Sequence, residues 1–276
     1  QSFVALMGNH ASSLPEETLA LDPGLDAVIH KEADETVVEL ARALRDQRDL
    51  KDVEGLIYRQ GDEIHRSPER PLIQDLDALP MISPFYDKHL NVEEYFFAAA
   101  RFPMVMIMTS RGCPFKCSWC VYPQVFHQKK FRMRSPEHIA AEFRYIREHM
   151  PHIQEVGIED DLFTGSLRQV DAVCDLLIAE GNTLPWWVDT RVNLPYETME
   201  KMKQAGCRLL IAGFESGDQQ ILDNISKGTQ LEEATTFMAN ARKLDFIVHG
   251  CFVFGQPGET FETMNKTLDL AKKSQS

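Results

Sequence analysis

Cys113, Cys117 and Cys120 fall within eight residues, spaced C-x3-C-x2-C in Cys113-Pro114-Phe115-Lys116-Cys117-Ser118-Trp119-Cys120. Three thiolates on one short loop can hold three irons of a [4Fe–4S] cluster, which leaves the fourth iron open to a small molecule. Two other chemistries use the same residue type. A structural zinc site needs four ligands, commonly in two spaced pairs, and His127 is the nearest candidate for a fourth. An electron-transfer cluster needs four cysteines, and no fourth lies near. The remaining Cys174, Cys207 and Cys251 stand singly in apolar periodic segments and read as small buried hydrophobes.

The loop must be carried by something, and the surrounding pattern supplies it. Candidate strands at 104–108, 155–159, 186–190, 209–212 and 247–254 alternate with candidate helices. The first helix has Ser135 as N-cap and Pro136 at its first position, and buries Ile139, Phe143 and Ile146. The second aligns Leu167, Val170, Cys174 and Leu177. Gly206 closes the third, where a left-handed residue is needed. Leu231, Ala234, Met238 and Ala241 make the fourth, and a last helix starts near 260. Repeated β–α units predict a parallel sheet with right-handed crossovers. Ligands of such sheets collect at the carboxyl ends of the strands. The cysteine loop leaves the first strand at that end. The other ends bring Glu159-Asp160-Asp161, Asp189-Thr190-Arg191, Gly213-Phe214-Glu215-Ser216-Gly217, and Cys251-Phe252-Val253-Phe254-Gly255 followed by Gln256-Pro257-Gly258-Glu259-Thr260.

These motifs, in this order, resemble the radical S-adenosylmethionine superfamily over about residues 101–276. The resemblance implies five of the six strands of a partial (βα)6 barrel. It implies that the open iron chelates the amino and carboxylate groups of S-adenosylmethionine, and that one electron cleaves the C–S bond to a 5′-deoxyadenosyl radical. It places Trp119 near the adenine, Asp160 at the amino group or facing substrate, and Arg191 in the cofactor site. Gly213, Glu215, Ser216 and Gly217 form the turn resembling the family's G-F-E-S-G. There Glu215 meets ribose hydroxyls or the amino group, and glycines let the backbone approach. Val253 lies on the adenine. Cys251 stands where many relatives have glycine.

The N-terminal part predicts strand, helix, strand, helix: apolar 3–7, a helix from Pro15, apolar 27–29, then Val37, Leu40, Ala41 and Leu44 on one helical face. It resembles the second half of the Rossmann-like cobalamin-binding domain that precedes the barrel in one large subgroup. Gly8, Asn9 and His10 are the matching candidates for the corrin. Where relatives usually read Gly-Glu-Gly-Glu, this chain has His30-Lys31-Glu32-Ala33-Asp34, keeping acids at Glu32 and Asp34. The expected organisation is an α/β chain with a partial cobalamin-binding domain over 1–50, a hairpin and linker over 51–100, and the barrel over 101–276. It is expected to be a piece of a longer protein.

Composition narrows the alternatives. Six cysteines in 276 residues are not a secreted disulfide framework. A net charge of −13 weighs against nucleic acid as a partner, because phosphate binding needs a basic footprint. The one basic run, His127 to Arg134, reads as a solvated loop or as a face toward an anionic substrate. No apolar run reaches the roughly 18 residues that span a bilayer. The expected protein is cytoplasmic, with a small-molecule or lipid-like substrate and an external flavodoxin- or ferredoxin-type electron donor. Its expected reaction is cobalamin-dependent methylation or another radical step. The alternatives are a methylthiotransferase-like tRNA modifier and a zinc-stabilised binding module.

Overall fold

The computed structural model describes residues 2–127 and 130–275. They divide into two compact units, Gln1–Gln74 with Cys120–Lys130, and Asp75–Trp119 with Phe131–Ser276.

The first unit runs β1 (Ala5–Leu6), α1 (Asn9–Ser13), α2 (Pro15–Leu21), β2 (Ala27–Ile29), α3 (Asp34–Arg45), β3 (Leu56–Gln60) and β4 (Glu63–Arg66). β1 and β2 are parallel. The hairpin β3–β4, which turns at Gly61, pairs antiparallel with β2 and completes a four-stranded sheet in the order β1-β2-β3-β4. The hairpin is therefore part of this sheet and not a connector, because β2 offers it an unpaired edge. The core joins Ala27 and Ile29 to Leu40, Ala43, Val53, Leu56 and Tyr58. α3 is rotated from the expected face. Thr36, Leu40 and Ala43 are buried, while Val37, Val38 and Leu44 are exposed. Thr36 tolerates burial because its hydroxyl donates to the Glu54 carbonyl and accepts from Arg70 Nε.

The second unit begins with α4 (Ser83–His89) and contains β5 (Met104–Ile107), β6 (Ser110–Arg111), β7 (Arg132–Met133), α5 (Pro136–His149), β8 (Glu155–Ile158), α6 (Leu167–Ala179), β9 (Trp186–Arg191), α7 (Tyr196–Gln204), β10 (Cys207–Glu215), α8 (Gln219–Asn224), α9 (Leu231–Lys243), β11 (Ile247–Phe252) and α10 (Phe261–Gln275). β5, β8, β9, β10 and β11 form one parallel sheet in sequence order. Alternate strand residues divide its two faces, as the two-residue period requires. Val105, Ile107, Val156, Ile158, Trp186, Val188, Leu210 and Ala212 pack with the buried faces of α5, α6, α7 and α9. Met104, Trp187 and Leu209 form a separate cluster on the other face. Ser135 caps α5 by accepting from the His138 amide, and Gly206, at φ +101°, follows α7 as expected. Cys174 and Cys207 are fully buried. Cys251 is only half-buried, because β11 is an edge strand.

Candidate active site

The cysteine loop leaves β5 at its carboxyl end. Its base is closed by the two-residue antiparallel ladder of β6 and β7. Thr109 and Ser110, just before the loop, face Asp160 at the end of β8. Asp160 is 6% exposed. Its Oδ1 accepts from the Thr109 and Ser110 amides at 2.7 and 3.0 Å, and its Oδ2 accepts from their hydroxyls at 2.5 and 2.7 Å. Burial pushes this carboxyl up to about 6 against the downward pull of those donors. Asp161 Oδ2 accepts from the Gly112 amide at 2.7 Å. Of the acids at this strand end, Glu159 is exposed, whereas Asp160 and Asp161 turn their carboxylates to the loop.

The middle of the loop is held from β9. The Arg191 guanidinium lies 3.8 Å from the centroid of the Phe115 ring, and its Nη1 donates to Cys117 Sγ at 3.7 Å. Its Nη2 donates to the Lys227 carbonyl, and the Ser118 amide donates to the Ile225 carbonyl at 2.9 Å. Beside Arg191 is a cavity of about 150 Å³ lined by Phe115, Thr164, Gly165, Leu167, Arg191, Asn193 and Leu194. Cys113, Cys117 and Cys120 are all partly exposed. In contrast, burial pushes the Cys174 thiol up to about 12 and the Cys207 thiol well above the ordinary range. Three accessible thiols and a cation fit the donor chemistry of an iron–sulfur cluster. Among the described residues no three His, Cys, Asp or Glu side chains converge as a mononuclear metal site would need. His127, the candidate for a fourth zinc ligand, is buried with its Nδ1 3.1 Å from Glu32 Oε1.

β10 ends in a strained, buried turn. Glu215 has φ +65° and its Oε1 accepts from Lys227 Nζ at 2.6 Å, with both side chains 6% exposed. A Cβ on Gly213 would lie 2.6 Å from Glu215 Oε1 and 2.9 Å from Lys227 Nζ, so glycine makes room for the ion pair. The Val253 amide donates to the Glu215 carbonyl at 3.0 Å. Ser216 and Gly217 serve packing. Ser216 Oγ accepts from the Asp218 amide and lies 3.3 Å from Thr267 Oγ1, and a Cβ on Gly217 would overlap the Lys266 carbonyl of α10. Asp189, two residues before Arg191, has its carboxyl pushed up to about 7 by burial and then by Glu159, Asp160 and Asp161. Trp119 is 46% exposed. In the first unit, Gly8 precedes α1 at φ +120°, Asn9 is half-buried and His10 is exposed.

The basic run is not solvated throughout: Lys130 is exposed, but His127, Arg132 and Arg134 are buried. Arg134 is buried and donates to the Met108 carbonyl at 2.9 Å and to Glu142 at 2.5 Å. Gln128 and Lys129 lie outside the described residues. Lys227 was not singled out from sequence; it sits alone in a Ser-Lys-Gly turn that carries no signal of its partner. Thr109 and Ser110 carry a weak one, as hydroxyl residues directly before the loop.

The sequence pattern of the Radical SAM superfamily matches residues 107–271, from the last residue of β5 into α10. The chain belongs to the radical SAM superfamily, whose members use a [4Fe–4S] cluster and S-adenosylmethionine. It is 35% identical over 272 residues to an uncharacterized methyltransferase of Pyrococcus horikoshii, covering 98% of this chain and 58% of that protein. It is 28% identical to the cytidylyl-2-hydroxyethylphosphonate methyltransferase of Streptomyces wedmorensis, covering 99% of this chain and 57% of that one. The chain thus spans little more than half the length of these relatives. In fold it is similar to the radical S-adenosylmethionine methyltransferase TsrM of Kitasatospora setae, at a TM-score of 0.79 and 19% identity over 99% of this chain and 54% of that one. No described helix is long and apolar enough to cross a membrane.

Proposed function

We propose that this chain is the cofactor-binding core of a cobalamin-dependent radical S-adenosylmethionine enzyme that methylates a small or lipid-like organic substrate. The observation that carries the reading is the extent of the likeness. It is not confined to residues 107–271 but runs across 98–99% of the chain, through the four-stranded unit, in two relatives named as methyltransferases and in TsrM. TsrM has been solved with cobalamin and a [4Fe–4S] cluster bound, and OxsB, with a TM-score of 0.76, with aqua-cobalamin and S-adenosylmethionine.

When bound, these groups supply the electron, the radical and the methyl carrier, and the protein supplies placement and shielding. Cys113, Cys117 and Cys120 hold the cluster. Arg191, stacked on Phe115, holds a proton donor at Cys117 Sγ. Gly213, Glu215 and Val253 bound the S-adenosylmethionine site, with Lys227 orienting the Glu215 carboxylate. Trp119 packs against the adenine. Gly8 gives a flat ring access to the backbone, and Asn9 and His10 offer it hydrogen bonds. A low-potential flavodoxin- or ferredoxin-type protein of the cytoplasm supplies the electron.

The test loads the intact protein anaerobically with iron, sulfide and hydroxocobalamin, then adds reductant and S-adenosylmethionine deuterated in its methyl group. Retained corrinoid absorbance and a deuterated methyl in an organic product are expected. A loaded cluster without retained corrinoid would remove the cobalamin part of the reading. No consumption of S-adenosylmethionine would remove the rest.

A further inference from the structure

We propose that Asp160 and Asp161 are positioning residues: two consecutive carboxylates at the end of β8 that clasp the arm of chain running into Cys113. The inference rests on the cluster assignment and not on methyl transfer.

The donors to these carboxylates come from 109, 110 and 112, immediately before the first cysteine. Asp160 is buried, and each of its oxygens accepts two hydrogen bonds, Oδ1 from the two amides and Oδ2 from the two hydroxyls. Asp161 takes the Gly112 amide, at the point where φ of +87° turns the chain toward Cys113. The carbonyls of the same arm are taken from the other side. The Arg134 amide donates to the Thr109 carbonyl at 2.8 Å, and Arg134 Nη1 donates to that of Met108. Arg134 is itself fixed by Glu142, which is fully buried and also accepts from the Ser83 amide and hydroxyl. The arm is thus gripped on both its donor and its acceptor sides.

The choice of side chains follows. Thr109 and Ser110 are the residue types that bring a second donor each, and a buried carboxylate needs its lone pairs satisfied. A loop that must present thiols at fixed positions loses less entropy on loading when its first arm is already held. With all four acceptor positions occupied, Asp160 has none left to take the amino group of a cofactor.

The test uses the whole protein, reconstituted anaerobically, with Asp160→Asn, Asp160→Ala and the double variant Thr109→Val/Ser110→Ala. Three quantities are read on each: iron loss under a chelator, the electron paramagnetic spectrum of the reduced cluster, and S-adenosylmethionine affinity per loaded cluster. Far-UV circular dichroism of the iron-free protein checks folding. Asparagine keeps one oxygen for the two amides, and its amide can donate to the hydroxyls. Asp160→Asn is therefore expected to keep iron, spectrum and affinity near wild type. Asp160→Ala and the double variant should lose iron about tenfold faster or more, the factor that losing a hydrogen bond to a charged group corresponds to, with an altered spectrum. If Asp160→Ala does not fold, the double variant, which leaves the carboxylate in place, decides. Wild-type iron retention in the double variant would overturn the clasp. So would an Asp160→Asn protein that keeps its iron but loses S-adenosylmethionine. Failure of the wild type itself to take up iron would instead remove the cluster assignment.

Discussion

Replacing Lys227 by methionine should strand the Glu215 carboxylate. The two groups are 2.6 Å apart, and each side chain is 6% exposed, so water cannot take over the lost partner. Removing one member of a buried pair costs about 3–5 kcal/mol, mostly because the other charge is left uncompensated. For a chain of this size each kcal/mol moves the melting temperature by about 2–4 °C, so a fall of roughly 6–20 °C is expected. The double variant fixes the cause. The double variant Glu215→Gln/Lys227→Met removes both charges and should recover most of the loss. The Lys227 carbonyl that holds Arg191 is backbone and survives both changes. Thermal melts of the iron-free protein at pH 8 measure both. A Lys227→Met protein that melts within about 2 °C of wild type, or a double variant that recovers none of the loss, would refute the reasoning.

Changing Cys113, Cys117 or Cys120 to alanine should abolish iron binding after reconstitution, whereas Cys174→Ala should leave it intact, since that thiol lies on the buried face of α6; iron and sulfide analysis reads the difference. The Asp189 carboxyl, raised from its ordinary value to about 7, costs stability as pH climbs from about 4 through 7, by at most about 4 kcal/mol. Asp189→Asn should therefore be the more stable protein at pH 8 and lose that advantage at pH 4.5; urea unfolding at the two pH values checks the sign. Gly217→Ala should destabilise the protein by about 1–3 kcal/mol even without cofactor, because its Cβ would press on the Lys266 carbonyl and lie 2.8 Å from Thr267 Cα, backbone that cannot step aside. A Gly217→Ala protein of wild-type stability that fails only in S-adenosylmethionine binding would restore the cofactor reading of that glycine.

What the sequence determined by itself was whatever depends on near neighbours. The cysteine spacing, the five barrel strands, the Ser135 cap, the stop at Gly206 and the buried face of α5 are all set within a few residues, where period and turn chemistry act. Family motifs at successive strand ends then gave the order of the sheet. The tertiary structure decided the rest, because it depends on which distant groups meet and in what orientation. Asp160 meets Thr109 and Ser110 from 51 and 50 residues away, and Lys227 meets Glu215 from 12 residues on, beyond the reach of a single turn. His127 pairs with Glu32 across 95 residues, and Gly217 is glycine for the sake of a helix 50 residues on. The same limit explains α3. Two faces of that helix were apolar enough to bury, and the choice fell to Thr36, whose hydroxyl finds partners in Glu54 and Arg70. No local pattern encodes such a pairing. It exists only once the chain has closed, when a buried polar atom must find a partner or go without.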